Sequence, residues 1–253
     1  MALCMLYHGM VIKFTCEYDG TDFCGFQRQK NGISVQQILE ESLSGIFGEK
    51  IVIHASGRTD TGVHARAQVC SFKVTNDKLE ISGLGRRMNS VLHESIAVRD
   101  FQVMGDDFSA RFSVKGKKYL YRCYVSQSKS PLRDRFALQL YKSHDIASMQ
   151  KAANMLMGTH DFSAFCCVRT DKEDKVRTIH ELRIESVGGE INFWIRGNGF
   201  LRNMVRIIVG TLLDVGVGKI SVDDVYAILE SKDRNRAGKT ADARGLTLWC
   251  VEY

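Results

Sequence analysis

The stretch that most constrains this chain is Ala55-Ser56-Gly57-Arg58-Thr59-Asp60-Thr61-Gly62-Val63-His64-Ala65. Glycine can reach backbone angles closed to other residues, so the segment bracketed by glycines 57 and 62 reads as a tight loop. The pattern predicts strands on both sides, over Ile51–His54 and Val69–Val74. A loop held between two strands can aim one side chain. Asp60 is the candidate, with Arg58 two residues away. A nearby guanidinium favours the ionised carboxylate, and an ionised Asp can act as nucleophile or base. The same composition also suits an ordinary polar surface turn.

The flanking chain predicts strands and helices in alternation. Met10, Ile12, Phe14, Cys16 and Tyr18 share one face of a half-buried strand, with Lys13, Thr15 and Glu17 opposite, and Asp19-Gly20 ends it. Ser34 and Gln37 form a capping box for a helix whose stripe is Val35, Ile38, Leu39, Leu43, Ile46 and Phe47, closed by Gly48. A weaker helix over Asp77–Asn89 is interrupted by Gly83 and Gly85, and Ile96–Phe101 reads as a strand. The segment Tyr119–Val125 reads as another strand, with Tyr119 and Tyr121 on one face.

After a turn at Ser128–Arg135 the pattern resumes. A helix is expected over Ser148–Met157, and an antiparallel pair, Ile179–Val187 with Ile191–Arg196, around Gly188-Gly189. Further helices are expected at Phe200–Val215 and Val222–Leu229, and a final strand at Gly245–Tyr253. The expected architecture is α/β (α+β), as two units with largely antiparallel or mixed sheets. Residues 1–107 would form the first, carrying the loop, and 108–253 the second.

With 253 residues and 44% hydrophobic content the chain can bury a sizeable core, and a net charge of +6 permits a polyanionic partner. None of the eight cysteines makes a C-x-x-C pair, and the adjacent Cys166 and Cys167 are poorly spaced for zinc. The pattern suits reduced thiols in a cytoplasmic protein. No run approaches the roughly 18 apolar residues of a membrane span. The Walker loop, the dinucleotide fingerprint and the nucleophile elbow are all missing. His54, Asp60 and His64 do not make a regular metal-ligand spacing, so no metal is expected.

Two stretches could meet nucleic acid. Phe23-Cys24-Gly25-Phe26-Gln27-Arg28-Gln29-Lys30 mixes basic and aromatic residues, which suits phosphates and bases, and suits equally a loop with packed phenylalanines. Lys115, Lys117 and Lys118 stand beside the Tyr119 strand as an RNA grip or as a solvated edge. Arg206 lies inside the apolar run Met204-Val205-Arg206-Ile207-Ile208-Val209-Gly210. There it is either paired with a carboxylate, Asp60 being the natural choice, or extends its head to water.

The segment Gly57–Ala65 resembles the active-site signature of the tRNA pseudouridine synthase A family. Three more motifs follow the family's order. They are Glu17-Tyr18-Asp19-Gly20 with Gly25-Phe26-Gln27-Arg28-Gln29; Phe108 with Ala110-Arg111-Phe112-Ser113 and Lys118-Tyr119; and Phe200 with Met204–Gly210. The resemblance spans nearly the whole chain. It implies a pseudouridine-synthase-type fold around a basic central cleft. It implies a cofactor-free homodimer that isomerises uridine at positions 38, 39 and 40 of the tRNA anticodon stem-loop. Carried onto this sequence, Asp60 is the catalytic nucleophile and Arg58 helps hold it and open the RNA. Tyr119 stacks on the target base, Arg206 pairs with the carboxylate, and Gln27 and Arg28 belong to the substrate-binding set. The flipped base would regain stacking of about 1–3 kcal/mol on Tyr119. Attack on the sugar, attack on the base, and proton abstraction to an unsaturated sugar all remain open for Asp60. Two departures stand out: residues 238–246 lack the family's usual prolines, and position 202 is Arg where some members carry His. The other readings are a non-catalytic RNA-binding protein that helps tRNA fold, which the intact Arg58-Thr59-Asp60 triplet disfavours, and an aspartyl-nucleophile hydrolase, which lacks a phosphate-cradling loop.

Overall fold

The computed structural model describes residues 10–75, 81–168 and 173–253, arranged as two compact units. The first comprises the described residues of Met1–Val114 together with Tyr253; the second is Lys115–Glu252. Each mixes helix with largely antiparallel sheet, the class the sequence predicts.

In the first unit, β1 (Met10–Tyr18) is central, between β3 (His64–Val74) and β4 (Ile96–Met104), both antiparallel to it. The alternation holds: Ile12, Phe14, Cys16 and Tyr18 are buried, while Glu17 is exposed. Phe14 stacks on Phe101 of β4 at 5.0 Å and meets Phe72 of β3 edge-on at 5.8 Å. Helix α1 (Val35–Phe47) closes this face, with Phe47 edge-on to Phe72 at 5.6 Å. Ser34 Oγ accepts the Gln37 amide at the helix start, and Gly48 ends it in a left-handed turn.

The expected strand Ile51–His54 is reduced to β2, His54–Ala55, on β3. Ile51 and Ile53 are buried, but their amides go to Ser44 Oγ (2.9 Å) and Glu40 Oε1 (3.0 Å) of α1. Side chains of the helix thus take donors that a strand would have placed in a ladder. The expected helix at 77–89 is α2, Leu84–Asn89; residues 77–80 of that expectation lie outside the described residues. Asn89 ties α2 to β4 by bonding both the amide and the carbonyl of Val98 (2.8 and 2.9 Å).

In the second unit the strand order is β10 (Leu246–Glu252), β5 (Gly116–Val125), β9 (Glu190–Gly197), β8 (Val176–Val187), β7 (Gly158–Asp161). A short β6 (Leu138–Leu140) runs parallel beside β5. Gly188 and Gly189 both have positive φ (60° and 80°) and close the β8–β9 hairpin, as the paired glycines predict. Tyr121, Cys123, Ile191, Phe193 and Ile195 are buried on one side of this sheet.

Helix α3 (Ile146–Met155) starts two residues before the expected start and is capped by Asp145. Helix α4 (Met204–Gly216) starts later than expected. Asn203 takes a left-handed conformation (φ 62°), so Phe200, Leu201 and Arg202 precede the helix. Helix α5 (Val222–Ser231) carries a full capping box between Ser221 and Asp224.

Candidate active site

The loop from Ser56 to Val63 is held by polar bonds within the first unit. At its entry, Ser56 donates its amide to the Val69 carbonyl (2.8 Å). Its hydroxyl donates to Gln68 Oε1, and Gln68 Nε2 donates to the Gly57 carbonyl (2.7 Å). Gln68 is wholly buried, so its amide needs these partners. At its exit, Val63 donates to the Asp60 carbonyl (3.1 Å), closing a turn in which Gly62 has φ 76°.

The segment after β1 holds the middle of the loop. Phe26 donates its amide to the Thr59 carbonyl (3.2 Å), and the Tyr18 and Thr59 hydroxyls lie 2.8 Å apart. Gly25 (φ 85°) passes so close that a Cβ would lie 2.8 Å from the Thr59 oxygen. A Cβ at Gly20 would collide with the Val63 carbonyl. His64, 2% exposed, sets Nδ1 3.0 Å from the Gly20 nitrogen and 3.1 Å from Asp19 Oδ1. The first motif therefore serves to grip the second.

Within this frame Asp60 is half-buried and Arg58 exposed. Phe23 and Phe26 are 4% and 2% exposed, so the packed reading of that loop applies and its rings are core. Gln27 is exposed; Arg28 bridges Glu40 (3.2 Å) and Glu41 (3.5 Å) of α1, and its amide donates to Gln36 Oε1.

In the second unit, Tyr119 is 8% exposed, with its ring edge-on to Phe200 at 5.2 Å. Lys118, on the opposite strand face, pairs with Glu181 (3.0 Å) and sits 5.0 Å over the Trp194 ring. Arg206, on the first turn of α4, donates from Nε to the Ala241 carbonyl (2.7 Å), and the Ala241 amide returns a bond to the Arg206 carbonyl (3.1 Å). The proline-free segment is pinned at several points. Gly238 donates to Thr211 Oγ1 (2.9 Å), Arg234 donates to the Gly238 carbonyl, and Tyr121 donates to the Asp242 carbonyl (2.8 Å). Burial alone would raise the Asp242 carboxyl. Bonds from Arg244, with the charges of Arg244 and Arg206, bring it below its ordinary value instead.

Tyr18 and Gln68 hold the loop in ways the sequence does not reveal: Tyr18 reads as a strand position and a member of the first motif, and Gln68 falls outside the expected strand. Their partners lie 41 and 11 residues away, and no local spacing reveals such bonds.

A model of the tRNA pseudouridine synthase family matches residues 15–113 and 152–253. A "tRNA pseudouridine synthase A" of Exiguobacterium sibiricum is 42% identical, covering 95% of this chain and 96% of its own. The protein of that name from Acetivibrio thermocellus is 43% identical (96% and 99%), and the one from Brevibacillus brevis 45% (93% and 96%). A crystal structure of a Cbf5-Nop10-Gar1 complex overlaps 84% of this chain and 46% of that one, at 13% identity and a TM-score of 0.37. The two matched segments include both the clamped Asp60 loop and the Arg206 helix, and the relatives align nearly end to end; the chain belongs to the tRNA pseudouridine synthase family.

Proposed function

We propose that this chain converts uridine to pseudouridine at positions 38, 39 and 40 of the tRNA anticodon stem-loop, with Asp60 as the reacting carboxylate. The observation that carries the reading is the rigid presentation of a half-buried Asp60 on a loop gripped from β3 and from the segment after β1. The reaction breaks the bond from N1 of uracil to C1′ of ribose, turns the base, and joins C5 to C1′. C5 loses its proton and N1 gains one, so the sum is an isomerisation. Asp60 serves as nucleophile on the sugar or the base, or as base to an unsaturated sugar. Arg206 supplies its counter-charge, and Tyr119, backed by Phe200, stacks on the flipped base. Arg58, Gln27 and Arg28 contact the RNA. The reading includes a cytoplasmic homodimer acting without cofactor.

Tritium release from C5-labelled uridine in an unmodified tRNA transcript tests it. Wild type should release tritium and Asp60→Ala should release none while still binding the transcript. Full turnover by Asp60→Ala would sink the assignment of that residue. No release by wild type, across transcripts that it binds, would favour a non-catalytic RNA-binding protein.

A further inference from the structure

We propose that Tyr18 is a positioning residue for the Asp60 carboxylate, acting through one buried hydrogen bond to Thr59. The inference rests on Asp60 being the reacting group. Tyr18 and Thr59 are 3% and 7% exposed, and their hydroxyl oxygens are 2.8 Å apart. Thr59 immediately precedes Asp60. Its hydroxyl is held by Tyr18 and its carbonyl by the Phe26 amide, so the peptide plane leading into Asp60 is fixed from two directions.

Tyr18 is itself well anchored. It pairs with Ala65 of β3 and Ile96 of β4, and its ring packs 6.1 Å from Phe26. Phenylalanine would fill the same apolar site. The phenol adds only the hydroxyl, which reaches a buried polar partner on the catalytic loop. Without it the Thr59 hydroxyl is left to find another partner, and the side chain is free to change rotamer. A displacement of about 1 Å at a reacting group can cost on the order of a hundredfold in rate. One hydrogen bond in this position therefore controls turnover more than substrate binding.

The test is a double-mutant cycle of Tyr18→Phe and Thr59→Val, with Thr59→Ser as the conservative control. Tritium-release kcat and KM are measured on one tRNA transcript. Amide hydrogen exchange at Phe26 and Val63 is followed in the same proteins. Each single substitution should lower kcat about tenfold with KM within about twofold. The double variant should be no worse than either single, because both remove the same bond. Thr59→Ser should stay near wild type, and exchange at Phe26 and Val63 should quicken in Tyr18→Phe. A purely structural role would lower the unfolding temperature and leave kcat per folded molecule unchanged. Additive losses, or unchanged kcat with unchanged exchange, would overturn the inference. A wild type without turnover would sink the isomerase reading alone, and the exchange arm would then decide whether Tyr18 holds the loop.

Discussion

Gln68 of β3 reaches back 11 residues to donate to the carbonyl of Gly57, 2.7 Å away, while its own oxygen receives the Ser56 hydroxyl. The strand that follows the Asp60 loop thus fastens the loop's entry. Gln68→Leu leaves the Gly57 carbonyl and the Ser56 hydroxyl without this partner. We expect a loss of about 1–3 kcal/mol, read by urea unfolding, together with lower tritium release per folded molecule. Gln68→Glu keeps an acceptor for Ser56 but sets a buried carboxylate against the Gly57 carbonyl, so it should be at least as damaging as Gln68→Leu. A Gln68→Leu protein as stable and active as wild type would show the clamp to be unimportant.

Gly25 and Gly48 separate backbone strain from close packing. Both have positive φ (85° and 68°). A Cβ at Gly48 meets nothing within 4 Å, whereas one at Gly25 lies 2.8 Å from the Thr59 oxygen and 3.2 Å from the Asp60 carbonyl carbon. Gly48→Ala should cost about 1–2 kcal/mol of stability and leave kcat unchanged. Gly25→Ala should cost more, about 2–4 kcal/mol, and should lower kcat because the loop carrying Asp60 must shift. Equal effects at the two sites would mean that the contact under Asp60 is not tight.

The candidate site was legible in the sequence to the extent that its loop is built from local residues. Asp60 between two glycines, and the alternation of β1, could be read directly. Helix and strand ends were less legible, because side chains from elsewhere decide them. Ile51 and Ile53 look like strand residues, yet Glu40 and Ser44 take their amides. Phe200 and Leu201 look helical, yet Asn203 at φ 62° starts the helix one turn later. Phe23 and Phe26 look like base-stacking rings, yet they are buried core. The bonds that grip Asp60's loop join residues up to 41 positions apart, and composition and periodicity carry no trace of them.

Arg206 holds the segment before β10 through its Nε bond to Ala241 while remaining half-buried. Arg206→Lys keeps the charge but replaces a planar fork with a point ammonium. We expect a small stability loss, about 1 kcal/mol, and a fall in kcat of at least about tenfold. Arg206→Met removes the charge as well and should abolish measurable turnover. If Lys restored full kcat, charge alone would be sufficient and the fork geometry would not matter.

Both of the chain's tryptophans lie on the second unit's sheet, on the side away from Tyr121 and Phe193: Trp194 and Trp249 meet edge-on at 5.1 Å. Around them Lys118, Arg183 and Arg196 alternate with Glu181, Glu185 and Glu252, partly joined in ion pairs. On the same face Arg122 Nε, Asn192 Oδ1 and Thr247 Oγ1 are buried without a hydrogen-bond partner, in rows set by the pairings Arg122–Asn192 and Leu120–Thr247. A surface of balanced charge gives little attraction to a polyanion and can match a rotated copy of itself. Tryptophan and arginine are also the residues that most often carry interface energy. The proposed homodimer is therefore expected to pair through this face. Tryptophan emission should shift on dilution, in step with a change from dimer to monomer mass by sedimentation. Arg183→Glu, whose side chain is 48% exposed, should weaken association at least about tenfold without altering the fold. A dimer whose emission does not change on dissociation, and which Arg183→Glu leaves intact, would place the interface elsewhere.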